Sequence, residues 1–214
     1  PSTFTKKPTM ATESKKKVVI QLPLQHGDVK YIEKFISQKR ATDLYNWCKE
    51  NLEFGQHKIQ LFGKYIDQPR KTCALGIENY SYSGLTIKGS PIPEIFDRII
   101  DRLMRYLPEG HPRPNVILCN YYEDGRQYIG AHSDKEDFLV PGSCISGLSL
   151  GATRRFDIIP KKKGEEEKVS QYLTNGSMII MGKGTQENYK HTIPKELKVK
   201  EGRINLTFRC SGEK

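Results

Sequence analysis

The stretch Arg203-Ile-Asn-Leu-Thr-Phe-Arg209 decides the fold. Its polar and apolar residues alternate, and successive side chains of a β-strand point to opposite faces. The apolar face predicts a strand packed against the core, so both arginines would point into a barrel interior. An unpaired buried charge costs on the order of 3–5 kcal/mol, so an anion is expected to meet these arginines. On this stretch alone, a polar face turned to solvent is an equal alternative.

Short strands dominate the chain from Asn115 onward. Turn residues such as Asn175-Gly176 separate them. Many short strands without intervening helices are typical of a jelly roll or a barrel and not of a parallel sheet. The lysine and glutamate run from Lys161 to Lys168 predicts a solvated loop. The predicted strands are 115–122, 143–151, 155–159, 168–173, 177–182 and 203–209.

Two helices are predicted before these strands. Residues 31–52 contain apolar positions that share one helical face and no proline. Residues 93–107 open with a proline at the first turn and repeat apolar residues at spacings of three and four. The predicted fold class is α+β, mainly β, with one domain over 18–214 preceded by a basic disordered tail at 1–17.

Composition narrows the class of protein. The net charge of +10 favours a polyanionic partner such as nucleic acid, although many mildly basic proteins bind nothing charged. The five cysteines are scattered and form no C-x-x-C pair, which argues against a disulfide framework and a zinc ribbon and favours a reducing, intracellular location. No apolar run approaches the roughly 18 residues of a membrane span, so no membrane association is expected.

Two histidines and an aspartate form a candidate metal site. His132 and Asp134 are two residues apart, so in an extended segment both side chains emerge on one side. The pair alone is more often a surface histidine beside a solvated acid. His191 supplies a third ligand, and two histidines with one carboxylate are the ligand set of non-haem Fe(II) oxygenases. A dicarboxylate that chelates the metal and reaches an arginine would explain ligands and arginines together.

Several motifs together resemble the signature of AlkB-type dioxygenases, in the family's order, from roughly Gln60 to Arg209. They are Asn120-Tyr-Tyr122, Asp124-Gly125, Ile129-Gly130-Ala-His132-Ser-Asp134, Pro141-Gly-Ser143, His191 and the stretch 203–209. Within the family, the eukaryotic AlkB homologue 2 and 3 group is the most similar. The motifs that indicate this group are Gln60-Leu-Phe-Gly-Lys64, Pro69-Arg-Lys71 and Tyr80-Ser-Tyr-Ser-Gly-Leu-Thr86.

The resemblance implies a double-stranded β-helix, or jelly roll, with flanking N-terminal helices and a nucleotide-recognition hairpin. The recognition lid would span about 55–90 and the catalytic core 115–209. The enzyme would be a monomer, nuclear or cytoplasmic, acting on DNA or, alternatively, RNA. It would use Fe(II), O2 and 2-oxoglutarate to demethylate 1-methyladenine and 3-methylcytosine, releasing formaldehyde, succinate and CO2.

Roles for individual residues follow from the same resemblance. The catalytic metal ligands would be His132, Asp134 and His191. Arg203, with Tyr122 and Asn120, would bind the distal carboxylate of 2-oxoglutarate. Arg209, helped by Asn205, would steady the end near the metal.

Substrate contacts are also implied by the resemblance. Glu136 would lie near the methylated base, where a carboxylate suits a cationic lesion, although a solvated loop acid is an equal alternative. Tyr82 would stack on the flipped base, with Ser83 beside it, although a tyrosine in such a strand is ordinarily packing.

Phe62 matches a finger residue that enters duplex DNA where the damaged base has left. Its rival interpretation is burial in the core. We predict that Phe62→Ala weakens repair of duplex far more than repair of single strands, and equal loss on both would exclude the finger role. Candidate phosphate contacts, each alternatively a solvated side chain, are Arg70, Lys71, Lys195, Lys198 and Lys200.

Other functions stay open at this stage. An Fe(II)/2-oxoglutarate hydroxylase of a protein or small molecule would share the metal site, as would an enzyme that removes RNA modifications. A nucleic-acid-binding module with an inactive site would not need intact ligands and both arginines. A zinc hydrolase in a similar barrel would have no use for Arg203 and Arg209.

Overall fold

A computed structural model describes residues 18–61, 63–82, 84–162, 164 and 167–212, so the predicted tail at 1–17 lies outside the described residues. The elements in chain order are β1 (Ile20–Gln21), β2 (Val29–Ile32), α1 (Gln38–Asn51), β3 (Gly55–Leu61), β4 (Lys64–Leu75), β5 (Asn79–Tyr82), β6 (Leu85–Lys88), a 3-10 turn (Glu94–Phe96), α2 (Asp97–Met104), β7 (Val116–Tyr122), β8 (Ile129–His132), β9 (Ile145–Gly151), β10 (Arg154–Pro160), β11 (Val169–Leu173), β12 (Met178–Met181), α3 (Thr185–Asn188), β13 (Tyr189–Ile193) and β14 (Arg203–Arg209).

Two antiparallel sheets make up most of the described part of the chain. The larger sheet has eight strands in the order β1-β2-β12-β9-β14-β7-β4-β3, and the smaller has four in the order β11-β10-β13-β8. Strands β5 and β6 form a separate hairpin. Two sheets of short antiparallel strands with few helices confirm the mainly β, jelly-roll prediction.

The apolar core has two layers, one on each face of the larger sheet. The first joins α1 and α2 to the outer face of the sheet, with Leu44, Leu103 and Leu206 among its buried members. The second lies between the two sheets, where Ile179 of the larger sheet belongs to the same cluster as Ile158 of the smaller. None of the helices in the described residues has the length and apolar character that a membrane crossing requires.

Strand β14 lies inside the larger sheet, paired on one side with β7 and on the other with β9. Its apolar residues belong to the core under the helices. On the opposite face, Arg203 is 1% exposed and Arg209 is 3% exposed. The alternation predicted for this strand is confirmed, and the alternative of a solvent-facing polar side is wrong.

The helices are shorter than the sequence pattern predicts. The first begins only at Gln38, because residues 29–32 form β2 and pair with β12. Ser37 then caps the helix by accepting a hydrogen bond from the backbone N–H of Arg40 at 3.3 Å. The second helix ends at Met104 after a 3-10 turn. Sheet pairing between distant segments overrode the helical pattern at Tyr31 and Ile32, and residues 33–36 form turns and bends before the helix begins.

Candidate active site

The three predicted metal ligands lie together at the ends of paired strands. His132 on β8 stands directly opposite His191 on β13 in the antiparallel register, and their ring centroids are 4.3 Å apart. Asp134 follows β8, and its Oδ1 lies 3.5 Å from Nε2 of His132 and 4.0 Å from Nε2 of His191. One ligand atom from each residue lies within 4.8 Å of the others, so a single ion can be held by all three.

Backbone contacts orient these side chains. Nδ1 of His132 lies 2.8 Å from the carbonyl oxygen of Gly130. A proton on Nδ1 would be donated to that carbonyl and would leave the Nε2 lone pair for a metal. The backbone N–H of Asp134 donates to Oε1 of Gln186 at 2.9 Å, and the hydroxyl of Ser133 donates to the carbonyl of Tyr189 at 2.7 Å. The ligand loop after β8 is therefore tied to α3 and β13.

The electrostatics of the site favour metal binding. Burial lowers the pKa of His191 to about 3, so its imidazole is neutral at physiological pH. For Asp134, burial alone would raise the pKa, but the charge of Arg209 and contacts with both histidines hold it below its usual value. A neutral imidazole at His191 and an ionised carboxylate at Asp134 are protonation states that bind metal.

A cavity of about 610 Å³ opens between the two sheets beside these ligands. Its lining includes the three candidate ligands together with Arg203 and Arg209. A small dicarboxylate and a larger planar group could therefore occupy one continuous space.

Arg203 presents unsatisfied donors to this cavity. Its Nη2 donates to Oγ of Ser149 and to Oδ1 of Asn205, both at 2.8 Å. Its Nε and Nη1 are buried and have no hydrogen-bond partner among the residues that the structure describes. Burial lowers the pKa of Arg203 to about 10, which leaves the guanidinium charged at neutral pH. A buried cation with free donors fits the carboxylate of a ligand.

Arg209 lies beside the metal ligands. Its Nη2 is 3.0 Å from Oδ2 of Asp134 and 3.8 Å from Oε1 of Glu136. Burial alone would lower the pKa of Arg209, but these carboxylates together with Tyr80 outweigh burial and raise that pKa. Within the described residues, its Nε and Nη1 also lack hydrogen-bond partners.

Glu136 is not a solvated loop acid, since its side chain is only 10% exposed. The hydroxyl of Tyr80 donates to its Oε1 at 2.7 Å. Its Oε2 is buried and has no hydrogen-bond partner in the described part of the chain. Glu136 also lines the cavity, so one carboxylate oxygen is free to meet a ligand there.

The residues predicted to bind the cosubstrate lie together, and their roles stay predictions. Oδ1 of Asn205, which the sequence grouped with Arg209, accepts from Nη2 of Arg203 at 2.8 Å. Oδ1 of Asn120 accepts from Nε of Arg70 at 2.7 Å. The Arg203 guanidinium lies 5.6 Å from the centroid of the Tyr122 ring. All five predicted residues line the cavity, namely Asn120, Tyr122, Arg203, Asn205 and Arg209.

The substrate-side predictions have different outcomes. Arg70 is 5% exposed, donates to Asn120 and lines the cavity, and its predicted contact with a phosphate stays a prediction. Tyr82 also lines the cavity, and its hydroxyl accepts a hydrogen bond from the side-chain amide of Gln68. Phe62 and Ser83 lie outside the described residues, so their roles stay predictions.

Sequence reasoning missed four residues that shape the site. They are Tyr80, Ser149, Arg154 and Gln186. Only Tyr80 carried a usable signal, because the alternation of β5 places it on the same face as Tyr82. The partners of the other three are distant in the sequence.

The residues present fit Fe(II) and a dicarboxylate. Two imidazoles and one carboxylate are the donor set of non-haem iron oxygenases. The unpartnered Nε and Nη1 of Arg203 supply donors for a carboxylate in the same cavity.

Comparisons with known proteins agree with this donor set. Residues 28–209 match the family described as the 2OG-Fe(II) oxygenase superfamily. The chain is similar to the DNA oxidative demethylase ALKBH2 of Mus musculus, with 36% identity over 71% of this chain and 66% of that protein. It is also similar to the alpha-ketoglutarate-dependent dioxygenase alkB homolog 3 of Rattus norvegicus, with 38% identity over 66% of this chain and 50% of that protein.

The chain therefore spans about half to two thirds of the length of these relatives. Among solved structures, one titled "The structure of OsALKBH1" matches with a TM-score of 0.62 and 20% identity. The match covers 85% of this chain and 97% of that chain, and it supports the fold.

Proposed function

The chain belongs to the 2OG-Fe(II) oxygenase superfamily, as an AlkB-type dioxygenase, and from this premise we propose that it oxidatively demethylates N-methylated bases in DNA. The observation that carries the proposal is the single cavity shared by His132, Asp134, His191 and a guanidinium with unsatisfied donors. The relatives named as DNA oxidative demethylases support the substrate class. The net charge of +10 suits a polyanionic partner.

Fe(II) and 2-oxoglutarate are the cofactor and cosubstrate expected for this family. His132, Asp134 and His191 would hold the metal. When bound, iron with O2 and 2-oxoglutarate supplies the oxidation of an N-methyl carbon, which yields formaldehyde, succinate and CO2.

The chain's own residues bind and orient the reactants. Nε and Nη1 of Arg203 would bind the distal carboxylate of 2-oxoglutarate, and the ring of Tyr122 would flank that end. The positive charge of Arg209 compensates the negative charge of Asp134, so the Asp134 carboxylate stays ionised although it is buried. The role first predicted for Arg209, steadying the cosubstrate near the metal, remains part of the proposal.

Glu136 determines which methylated bases fit best. Glu136 lines the cavity, its Oε2 has no hydrogen-bond partner in the described residues, and its Oε1 accepts from Tyr80. An ionised carboxylate in a low-dielectric cavity favours a positively charged ligand or a hydrogen-bond donor. We therefore expect 1-methyladenine and 3-methylcytosine, which are cationic, to be preferred over neutral methylated bases.

The test uses the enzyme loaded with Fe(II) under anaerobic conditions. Oxygenated reactions would contain single- or double-stranded oligonucleotides with one methylated base, and formaldehyde and restored base would be measured. His132→Ala is the control that should abolish both products. Turnover of 2-oxoglutarate without demethylation of any oligonucleotide would exclude the proposed substrate class and favour a protein or small-molecule hydroxylase. RNA oligonucleotides of the same sequence distinguish DNA from RNA.

A monomeric state and a nuclear or cytoplasmic location remain predictions. Gel filtration with light scattering would test the first, and imaging of a tagged protein would test the second.

A further inference from the structure

Another buried guanidinium, that of Arg154, lies next to the cavity without lining it. Arg154 is 1% exposed. Its Nε donates to Oε2 of Glu196 at 3.1 Å, and its Nη1 donates to the carbonyl of Asp124 at 3.1 Å. Its Nη2 donates to the carbonyls of Gln127 and Pro194 at 2.8 and 2.7 Å. One side chain therefore ties two loops together.

The two loops also contact each other directly. The N–H of Gly125 donates to the carbonyl of Val199 at 2.9 Å, and the N–H of Glu196 donates to the carbonyl of Gly125 at 2.8 Å. A Cβ at Gly125 would lie 1.8 Å from the carbonyl oxygen of Glu196, so this approach requires glycine. Arg154 lies under a junction that has little room to move.

Both loops connect strands that carry the active-site residues. The loop 123–128 runs from Tyr122, the last residue of β7, to β8, which ends at His132. The loop 194–202 runs from β13, which carries His191, to Arg203, the first residue of β14. Each loop thus joins a metal-ligand strand to a strand of the predicted 2-oxoglutarate pocket.

Arg154 also contacts the pocket through Tyr122. The guanidinium carbons of Arg154 and Arg203 are each 5.6 Å from the centroid of the Tyr122 ring. Cation–π attraction to two nearby guanidinium groups favours this position of the ring. The position of Arg154 therefore bears on the Tyr122 wall as well as on the loops.

We infer that Arg154 is a positioning residue that sets the distance between the metal ligands and Arg203, and so determines the affinity for 2-oxoglutarate. Its hydrogen bonds to the loops 123–128 and 194–202 hold the two loops together. A lysine at this position keeps the charge but cannot reach four acceptors in a fixed fork. The inference rests only on the cosubstrate part of the proposed function and not on the nucleic-acid substrate.

Calorimetric titration of 2-oxoglutarate into the Mn(II)-loaded protein tests this inference without turnover or nucleic acid. Arg154→Lys should raise the Kd for 2-oxoglutarate roughly 10- to 100-fold. Losses of this size are typical when a residue that orients metal-binding side chains is replaced. Glu196→Gln, which weakens one partner and keeps its shape, should raise Kd in the same direction by less. In steady-state assays, the KM for 2-oxoglutarate should rise while the KM for the oligonucleotide stays the same.

Leu103→Ala is the matched control, because it removes buried side-chain volume under α2 and away from the cavity. It should lower thermal stability and leave the Kd for 2-oxoglutarate unchanged. An unchanged Kd in Arg154→Lys overturns the inference, and Glu196→Gln decides in the same way if the lysine variant does not fold. A Kd that rises equally in Leu103→Ala also overturns it, since the effect would then follow stability alone. Absence of demethylation would affect only the proposed substrate.

Discussion

Arg154 and Arg203 lie at the same distance from the ring of Tyr122, and both are 1% exposed. The guanidinium of Arg154 is closed, with acceptors on all three nitrogens. The guanidinium of Arg203 is open, because only Nη2 has partners within the described residues. The same residue type at the same depth thus occurs in two different states.

This difference distinguishes a buried cation that stabilises the fold from a buried cation that is available to bind a ligand. A buried cation whose donors are used by the protein contributes to the fold, because its loss leaves carbonyls and a carboxylate unpaired. A buried cation with spare donors retains an energetic penalty that a ligand anion can relieve. Arg154 fits the first description, and Arg203 and Arg209 fit the second.

The largest expected effect separates the two arginines by stability. Arg154→Met should lower the free energy of unfolding by about 3–5 kcal/mol, because Glu196 and three carbonyls lose their donor. Arg203→Met should change it by less than about 1 kcal/mol without cosubstrate, because the two hydrogen bonds of Nη2 that are lost are offset by removing a buried charge whose Nε and Nη1 have no partner in the described residues. Denaturant unfolding followed by circular dichroism measures both. Equal destabilisation by the two variants would contradict the comparison.

The next effect is on ligand binding. Arg203→Met should weaken the binding of 2-oxoglutarate by about 3 kcal/mol, roughly 150-fold in Kd, because a buried charged contact to the distal carboxylate is lost. Titration of the Mn(II)-loaded protein measures it. Binding of Mn(II) itself should be unaffected, and a loss of metal as well would show that Arg203 acts on the ligands instead.

Glu136 extends the comparison to a carboxylate. Its Oε1 accepts a hydrogen bond from Tyr80, and its Oε2 has no partner within the described residues. Glu136→Gln keeps the shape and removes the charge that meets a cationic base. The kcat/KM for 3-methylcytosine should fall by about 1.5–3 kcal/mol, roughly 10- to 150-fold, as for a hydrogen bond to a charged group. Activity on a neutral methylated base should change much less. A similar loss on both bases would rule out selection by charge.

The smallest effect concerns the closed oxygen of Glu136. Tyr80→Phe removes the hydroxyl that donates to Oε1 and keeps the buried ring. A loss of about 1 kcal/mol, roughly fivefold in kcat/KM for the lesion, is expected, since one neutral donor is removed. Parallel assays of Tyr80→Phe and Glu136→Gln check the order. A larger loss from Tyr80→Phe would mean that the tyrosine contacts the base itself.

Much of the site could be predicted from short segments of sequence. The alternation in 203–209 predicted two inward arginines because side-chain direction in a strand follows a local period of two. His132 and Asp134 were predicted together for the same reason. His191 was found because its ligand chemistry completes a known donor set. Local periodicity and residue chemistry are both present in the sequence before folding.

Other features depended on pairing between distant segments. Residues 31–37 carry a helical pattern, but pairing with β12 makes Tyr31 part of a strand. Asn205 shares one strand face with both arginines, and only the folded structure shows that it accepts from Arg203. Arg70 was predicted as a phosphate contact, and only the folded structure shows that it donates to Asn120 in the cavity wall.

Arg154 and Arg155, the first two residues of β10, show which properties the sequence determined and which only the fold determined. Local sequence pattern was enough to predict a mainly β fold of short strands, and ligand chemistry was enough to identify the three candidate iron ligands. Nothing local distinguishes Arg154 from Arg155, yet the first is 1% exposed and the second is half-buried. That choice was made only when two loops about 30 to 40 residues away converged on one guanidinium. Burial of a charge depends on acceptors that only the folded chain brings together.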